Sequence, residues 1–153
     1  LEELKMIAST RDRVPSHTNS CVNEQIRRQT EKNVAHCMAS GDAAIARRLD
    51  ELDREWDIER TLEANASTAV LVGLSLGALK HRAFFILPAL VAGFLMQHAV
   101  QGWCPPMPIL RRLGFRTQSE IDYERYALKA FRGDFQGISG TRSSSGALAA
   151  AER

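Results

Sequence analysis

Cys104 is the residue in this chain best placed to do chemistry. It stands in the run Gly102-Trp103-Cys104-Pro105-Pro106-Met107-Pro108, directly after a long apolar stretch. A thiol at such a boundary can be acylated, oxidised or enlisted in sulfur relay. The plainer reading is a residue at a helix exit, because three prolines in four positions forbid a continuing helix. Gln97, His98 and Gln101 interrupt the end of the same stretch. Polar groups inside an apolar helix point to a proton or ligand path; in the last turns, close to headgroups and water, they more simply suit solvation at an interface or a hydrogen bond between helices. His17, Cys21, His36 and Cys37 are soft-metal ligand types. His36 and Cys37 are adjacent and diverge on a helix, and no pair has Cys-x-x-Cys spacing, so no metal site is expected. The carboxylates between Asp50 and Glu63 read as a solvated helix face. There is no phosphate loop, nucleophile elbow or paired-carboxylate arrangement. Neither an enzyme nor a cofactor is expected.

The elements that must position these residues are set by where charge is missing. Residues 1–63 hold 13 Asp+Glu and 10 Lys+Arg, whereas residues 64–110 hold only Lys80 and Arg82. The first uncharged stretch, Ala64 to Leu79, has 16 residues. As a helix it spans about 24 Å, short of a hydrocarbon core of about 30 Å. Thr61 and Leu62 before it, and the long stems of Lys80 and Arg82 after it, can make up part of the difference. Its Leu and Val residues contribute about −2 to −4 kcal/mol to insertion. The second stretch begins at Ala83, is strongly apolar as far as Met96, and contributes about −2.4 to −5 kcal/mol. Pro88 kinks it or marks a true start near Leu87. Only Lys80-His81-Arg82 separates the two, so the expectation is a helical hairpin in lipid.

The flanks are helical and amphipathic. Val22, Ile26, Val34 and Met38 roughly track one face of a helix that Ser40-Gly41-Asp42 ends. Ile45, Leu49, Leu52 and Trp56 form a clear stripe on the next. With no Pro or Gly between Ala43 and Val72, that helix is expected to run unbroken into the hairpin. After the prolines, Ile109, Leu110, Leu113 and Phe115 with Arg111 and Arg112 suit a turn on lipid headgroups. Thr117 to Glu120 reads as a capping box opening a helix with Ile121, Leu128, Phe131 and Phe135 on one face. The expected organisation is a flexible arm (1–15), cytoplasmic amphipathic helices (16–63), a two-helix transmembrane hairpin (64–104), an interfacial segment and cytoplasmic helix (105–135), and a disordered tail (136–153). The fold class is all-α.

Ala69, Gly73 and Gly77 recur four apart in the first apolar helix, and Ala89 and Gly93 in the second. That spacing lets helices approach closely in lipid, within one hairpin or between two copies. Trp56, Lys80, Arg82, Trp103, Arg111 and Arg112 are the candidate membrane-interface residues. The segments flanking the hairpin carry 10 and 8 Lys+Arg against 2 in the connector, so both termini are expected in the cytoplasm. A net charge of +2 with no dense basic run excludes an argument for nucleic acid. Three cysteines cannot close a disulfide framework and suit a reducing compartment. The first residues, LEELK, are charged and do not read as a secretory signal.

From Asn65 to Gly114 the chain resembles the YgaP-like transmembrane domain, a two-helix bacterial inner-membrane module. The residues carrying the resemblance are Asn65, Gly73, Leu76-Gly77, Gly93, Gly102-Trp103-Cys104-Pro105, Leu110 and Leu113-Gly114. The resemblance covers about a third of the chain. It implies an inner-membrane hairpin, a homodimer, and no established activity for the module. The sulfur-transfer chemistry of a fused member belongs to a separate rhodanese domain, which is absent here. The prolines after Cys104 remove the backbone N–H groups that such an active loop needs. The expected partners are the lipid bilayer and either a second copy or an unidentified membrane or cytoplasmic protein.

Overall fold

A computed structural model describes residues 9–136. All regular structure among them is helical. The segments 1–8 and 137–153, which include most of the arm and tail expected from sequence, lie outside the described residues. The helices are α1 (Arg13–Ser16), α2 (Ser20–Ser40), α3 (Asp42–Arg54), α4 (Ile58–Leu79), a 3₁₀ turn (Arg82–Phe85), α5 (Ile86–Gln101), α6 (Met107–Arg112) and α7 (Gln118–Arg132). They divide into two compact units. One contains residues up to Ile26 together with Trp56–Gln118; the other contains Arg27–Glu55 and the chain from Ser119 onward.

The first unit is built around the antiparallel pair α4 and α5. The expected continuous helix does not form: Glu55 is extended (φ −66°, ψ 129°) and Asp57 starts α4 afresh. The Asp57 carboxylate accepts from the Arg60 N–H at 2.8 Å, which satisfies one orphan donor of the new helix. Asp57 outcompetes continuation because the Ile58 N–H finds the Arg116 carbonyl at 2.8 Å. At the closed end of the hairpin, His81 caps the 3₁₀ turn through Nδ1, which accepts from the Ala83 N–H. Pro88 falls in the first turn of α5, where its missing N–H costs nothing.

Beneath the open end, Val14, Ile58, Leu62, Cys104 and Met107 form a small core, with Trp103, Leu110 and Phe115 packed on it. Val14 is only 2% exposed in this core and Arg13 reaches Glu59, so the segment before Pro15 is docked at Arg13 and Val14. Arg111 departs from the interfacial role expected of it. It is 1% exposed, and its guanidinium donates to Thr18 Oγ1, Asn23 Oδ1 and the Phe115 carbonyl. A buried guanidinium requires such acceptors, and three segments of the unit supply them. Arg112 is exposed.

The second unit packs Cys37, Ile45, Leu49 and Leu52 against Ile121 and Leu128 of α7. Phe131 is 52% exposed and lies off the buried stripe, whereas Glu124 lies within it at 0%. Glu124 is acceptable there because Arg48 donates to both its oxygens, at 2.8 and 3.3 Å. Burial works against the charged form of Arg48, but hydrogen bonds to Glu124 and Glu51 outweigh it and hold the guanidinium above its ordinary range. Burial also pushes the Cys37 thiol up, against the opposing positive charge of Arg48.

Candidate functional site: an uncovered apolar hairpin and the polar cluster at its open end

Two helices are long and apolar enough to cross a membrane, one ending at Leu79 and one spanning Arg82–Gln101. Only 17% and 6% of their most apolar windows are buried inside the protein. That is the reverse of a soluble core helix, which hides its apolar face. Leu71, Leu79, Ile86, Leu90, Met96 and Val100 are all more than half exposed. Two polar side chains of α4 bond within their own helix. Asn65 donates to the Thr61 carbonyl and Thr68 to the Ala64 carbonyl, each at 2.8 Å and one turn back. Such back-bonding is how a helix carries polar residues where water is absent.

The small residues divide by role. A Cβ on Gly73 would lie 2.5 Å from Pro88 Cδ, and one on Gly77 would lie 2.7 Å from the Phe85 ring. Both glycines therefore set the close approach of α4 to the start of α5. A Cβ on Gly93 would meet nothing within 4 Å. Ala89 is exposed and Ala69 is half-buried at the wall of a small cavity. The hairpin's own contacts thus use Gly73 and Gly77 and leave the Ala89–Gly93 face open.

The residues expected at a membrane interface take varied positions. Lys80 and Arg82 are exposed at the closed end. Trp103 packs on the core beneath the open end. Trp56 is 46% exposed, with the Arg60 guanidinium carbon 4.3 Å above its ring, an arrangement that holds both side chains at the foot of α4.

At the open end the structure assembles a cluster that the sequence does not reveal. His98 is 4% exposed, and its Nε2 lies 2.8 Å from Glu59 Oε2. Arg13 donates to Glu59 Oε1 and to the Ala99 carbonyl, each at 2.9 Å. Gly102, at φ 77°, lets the chain turn tightly against Arg13; a Cβ there would lie 2.5 Å from the Arg13 carbonyl oxygen. Cys104, 3% exposed, sits beside His98 and contributes to the electrostatic environment of the ring. No hydrogen bond of normal geometry reaches His98 Nδ1, which is buried without a partner among the described residues.

His98 was readable as an interhelical hydrogen-bonding residue, but Glu59 read as part of a solvated face. The signal that could have singled it out is its place one turn before the charge-free stretch, opposite a histidine one turn before the end of the other. Gln97 is half-buried and Gln101 exposed, and neither joins the cluster's hydrogen bonds. Among the described residues no group of three or more His, Cys, Asp and Glu is arranged to hold a metal. His17 instead bonds through Nδ1 to the Arg13 carbonyl region at 2.9 Å. Comparison with family models, with curated proteins and with solved structures returns no match.

Proposed function

We propose that this chain is a small bacterial inner-membrane protein whose helical hairpin anchors a cytoplasmic helical module. Its role is dimerisation or the docking of a partner at the membrane rather than a reaction. The observation that carries this reading is the exposure of the two apolar helices. About forty residues with almost no charge have no protein to cover them, and lipid supplies that cover. The same exposure counts against a soluble module with the hairpin as its core. The Lys+Arg asymmetry supports cytoplasmic termini with Lys80-His81-Arg82 on the far side. The resemblance of residues 65–114 to the YgaP-like domain supports the same placement. A homodimer is supported by the Ala89–Gly93 face, whose small residues remain open once Gly73 and Gly77 are used within the hairpin.

Carbonate extraction of inner-membrane vesicles tests the anchor, and a reporter fused in turn to each terminus and to the 80–82 connector tests the topology. The expected result is a carbonate-resistant pellet with both termini cytoplasmic. Release into the supernatant would overturn the reading. Cysteine substituted at Gly93 or Ala89 should give disulfide-linked dimers under oxidation, whereas the same change at exposed Leu71 should not.

A further inference from the structure

We propose that Cys104 is an S-acylation site: it accepts a fatty acyl group from an acyl thioester, with His98 receiving the thiol proton. Two independent features meet at its sulfur. One is the buried His98 ring. Its Nε2 is committed to Glu59 at 2.8 Å, and Glu59 is fixed in turn by Arg13. Nδ1 is the nitrogen left for the neighbouring thiol, and it is buried and unpartnered. Thiol, imidazole and carboxylate in this order are the parts of an activated nucleophile: a base beside the thiol, and a third group orienting the base.

The other feature is a cavity of about 190 Å³ that Cys104 lines together with Leu62, Ala66, Ala69, Phe94 and Leu95. Its wall passes from buried Leu62 to Phe94, which is 40% exposed on the flank of the hairpin. The cavity thus leads from the sulfur to the apolar outer surface. A dry cavity of about 150 Å³ admits benzene, so this one takes the six or so methylenes next to a carbonyl while the rest of a chain continues along the hairpin. An apolar passage that ends at a thiol beside an orphan imidazole suits an electrophile with a hydrocarbon tail. The surroundings are ill suited to a charged oxidant or a hydrophilic sulfur donor.

The step is redox-neutral. The Cys104 proton moves to His98 Nδ1 and the sulfur attacks the thioester carbonyl carbon. A new C–S bond forms, the bond to the donor's sulfur breaks, and the departing thiolate takes the proton back from the imidazolium. The inference rests on the membrane reading, because the chain beyond the cavity needs lipid around it.

The test uses the full chain in lipid nanodiscs, incubated with an alkyne-tagged palmitoyl-coenzyme A. The expected result is a hydroxylamine-labile label at Cys104, absent from Cys104→Ser, with Cys21 and Cys37 unlabelled. In His98→Gln the labelling rate should fall at neutral pH while the variant stays carbonate-resistant, and a rate equal to the parent's would remove the imidazole from the step. Ala66→Leu, which fills the cavity, should reverse a preference for palmitoyl over acetyl donors while keeping Cys104 reactive. Absence of label, equal label on Cys104→Ser, or indifference to chain length in protein that stays carbonate-resistant would overturn the acylation site and leave the anchor standing. Protein that leaves the membrane on carbonate treatment would overturn the anchor itself.

Discussion

Leu90→Asp separates a lipid-facing hairpin from a water-facing one. Leu90 is 54% exposed and lies near the middle of the Arg82–Gln101 segment. On a surface bathed in water, an exposed substitution of this kind changes stability by no more than about 0.5 kcal/mol. At the centre of a membrane span, loss of the leucine forfeits about 0.3–0.6 kcal/mol and the aspartate adds about 2.5–3.5. The sum is about 3–4 kcal/mol, between a hundredfold and a thousandfold in an insertion equilibrium. It removes most or all of the −2.4 to −5 kcal/mol that the second helix offers, and the first helix cannot hold the hairpin in its place. The carbonate-resistant fraction of Leu90→Asp should therefore collapse. Tyr123→Asp in α7, at a site 60% exposed, should leave it unchanged. If Leu90→Asp stays in the pellet as fully as the parent protein, the outer face of α5 does not meet lipid and the solvation argument fails.

Other consequences are equally specific. Gly73→Ala forces the α4 backbone away from Pro88 and should destabilise the hairpin by about 1–3 kcal/mol, read as a lower midpoint of thermal unfolding in mild detergent; Gly93→Ala meets nothing within 4 Å inside the hairpin and should lower the midpoint far less. Arg48→Met removes both Arg48 hydrogen bonds to the buried Glu124 carboxylate and should cost the second unit about 3–5 kcal/mol; adding Glu124→Leu should restore most of it, and failure to restore would show that the ion pair is not the source of the loss. Cys37 supplies a pH signature. Its folded thiol is raised by burial, so its contribution to stability is intact below the unfolded thiol's pKa and is lost as pH rises through the folded value. Iodoacetamide should accordingly modify exposed Cys21 at neutral pH and spare Cys37 until the pH is well alkaline or the unit unfolds; equal rates at neutral pH would contradict the buried placement.

What could be read from residue order was whatever depends on local composition. Two charge-free runs and a three-residue break define a hairpin because solvation acts on each residue where it stands. Gly73 and Gly77 announce close packing by spacing alone, yet their partners, Pro88 and Phe85, follow only from the register between helices. That register was hidden by a misjudged boundary. Without Pro or Gly, residues 54–58 read as continuous helix, but Asp57 caps a new one. The restart places Glu59 across from His98, 39 positions away. Arg111 misled for a related reason. Its charge and neighbours suit headgroups, and the acceptors that let it be buried, Thr18 and Asn23, lie some ninety residues earlier. Ile121 and Leu128 of α7 were legible as a buried face, but Glu124 was not, since nothing near it in sequence predicts Arg48.

In the proposed membrane placement, the polar cluster marks where the hydrocarbon begins. Glu59 accepts from Arg13 and pairs with His98 Nε2 at the open end, and a charged group held deeper would cost several kcal/mol. Lys80, His81 and Arg82 are exposed at the closed end, where headgroups can receive them. Between Glu63, exposed at the foot of the apolar run, and Lys80, the uncharged part of α4 runs from Ala64 to Leu79, about 24 Å at 1.5 Å per residue. That is a few ångströms short of an average bilayer and within what tilt-free insertion, long basic stems and slight local thinning accommodate. Counted from Ala64, the first apolar stretch looked too short to span. Thr61 and Leu62, expected to help make up the length, are buried, and the Glu59 carboxylate just before them is held by His98 of α5 and by Arg13. The open-end cluster thus ties α4 to α5 and to the N-terminal segment.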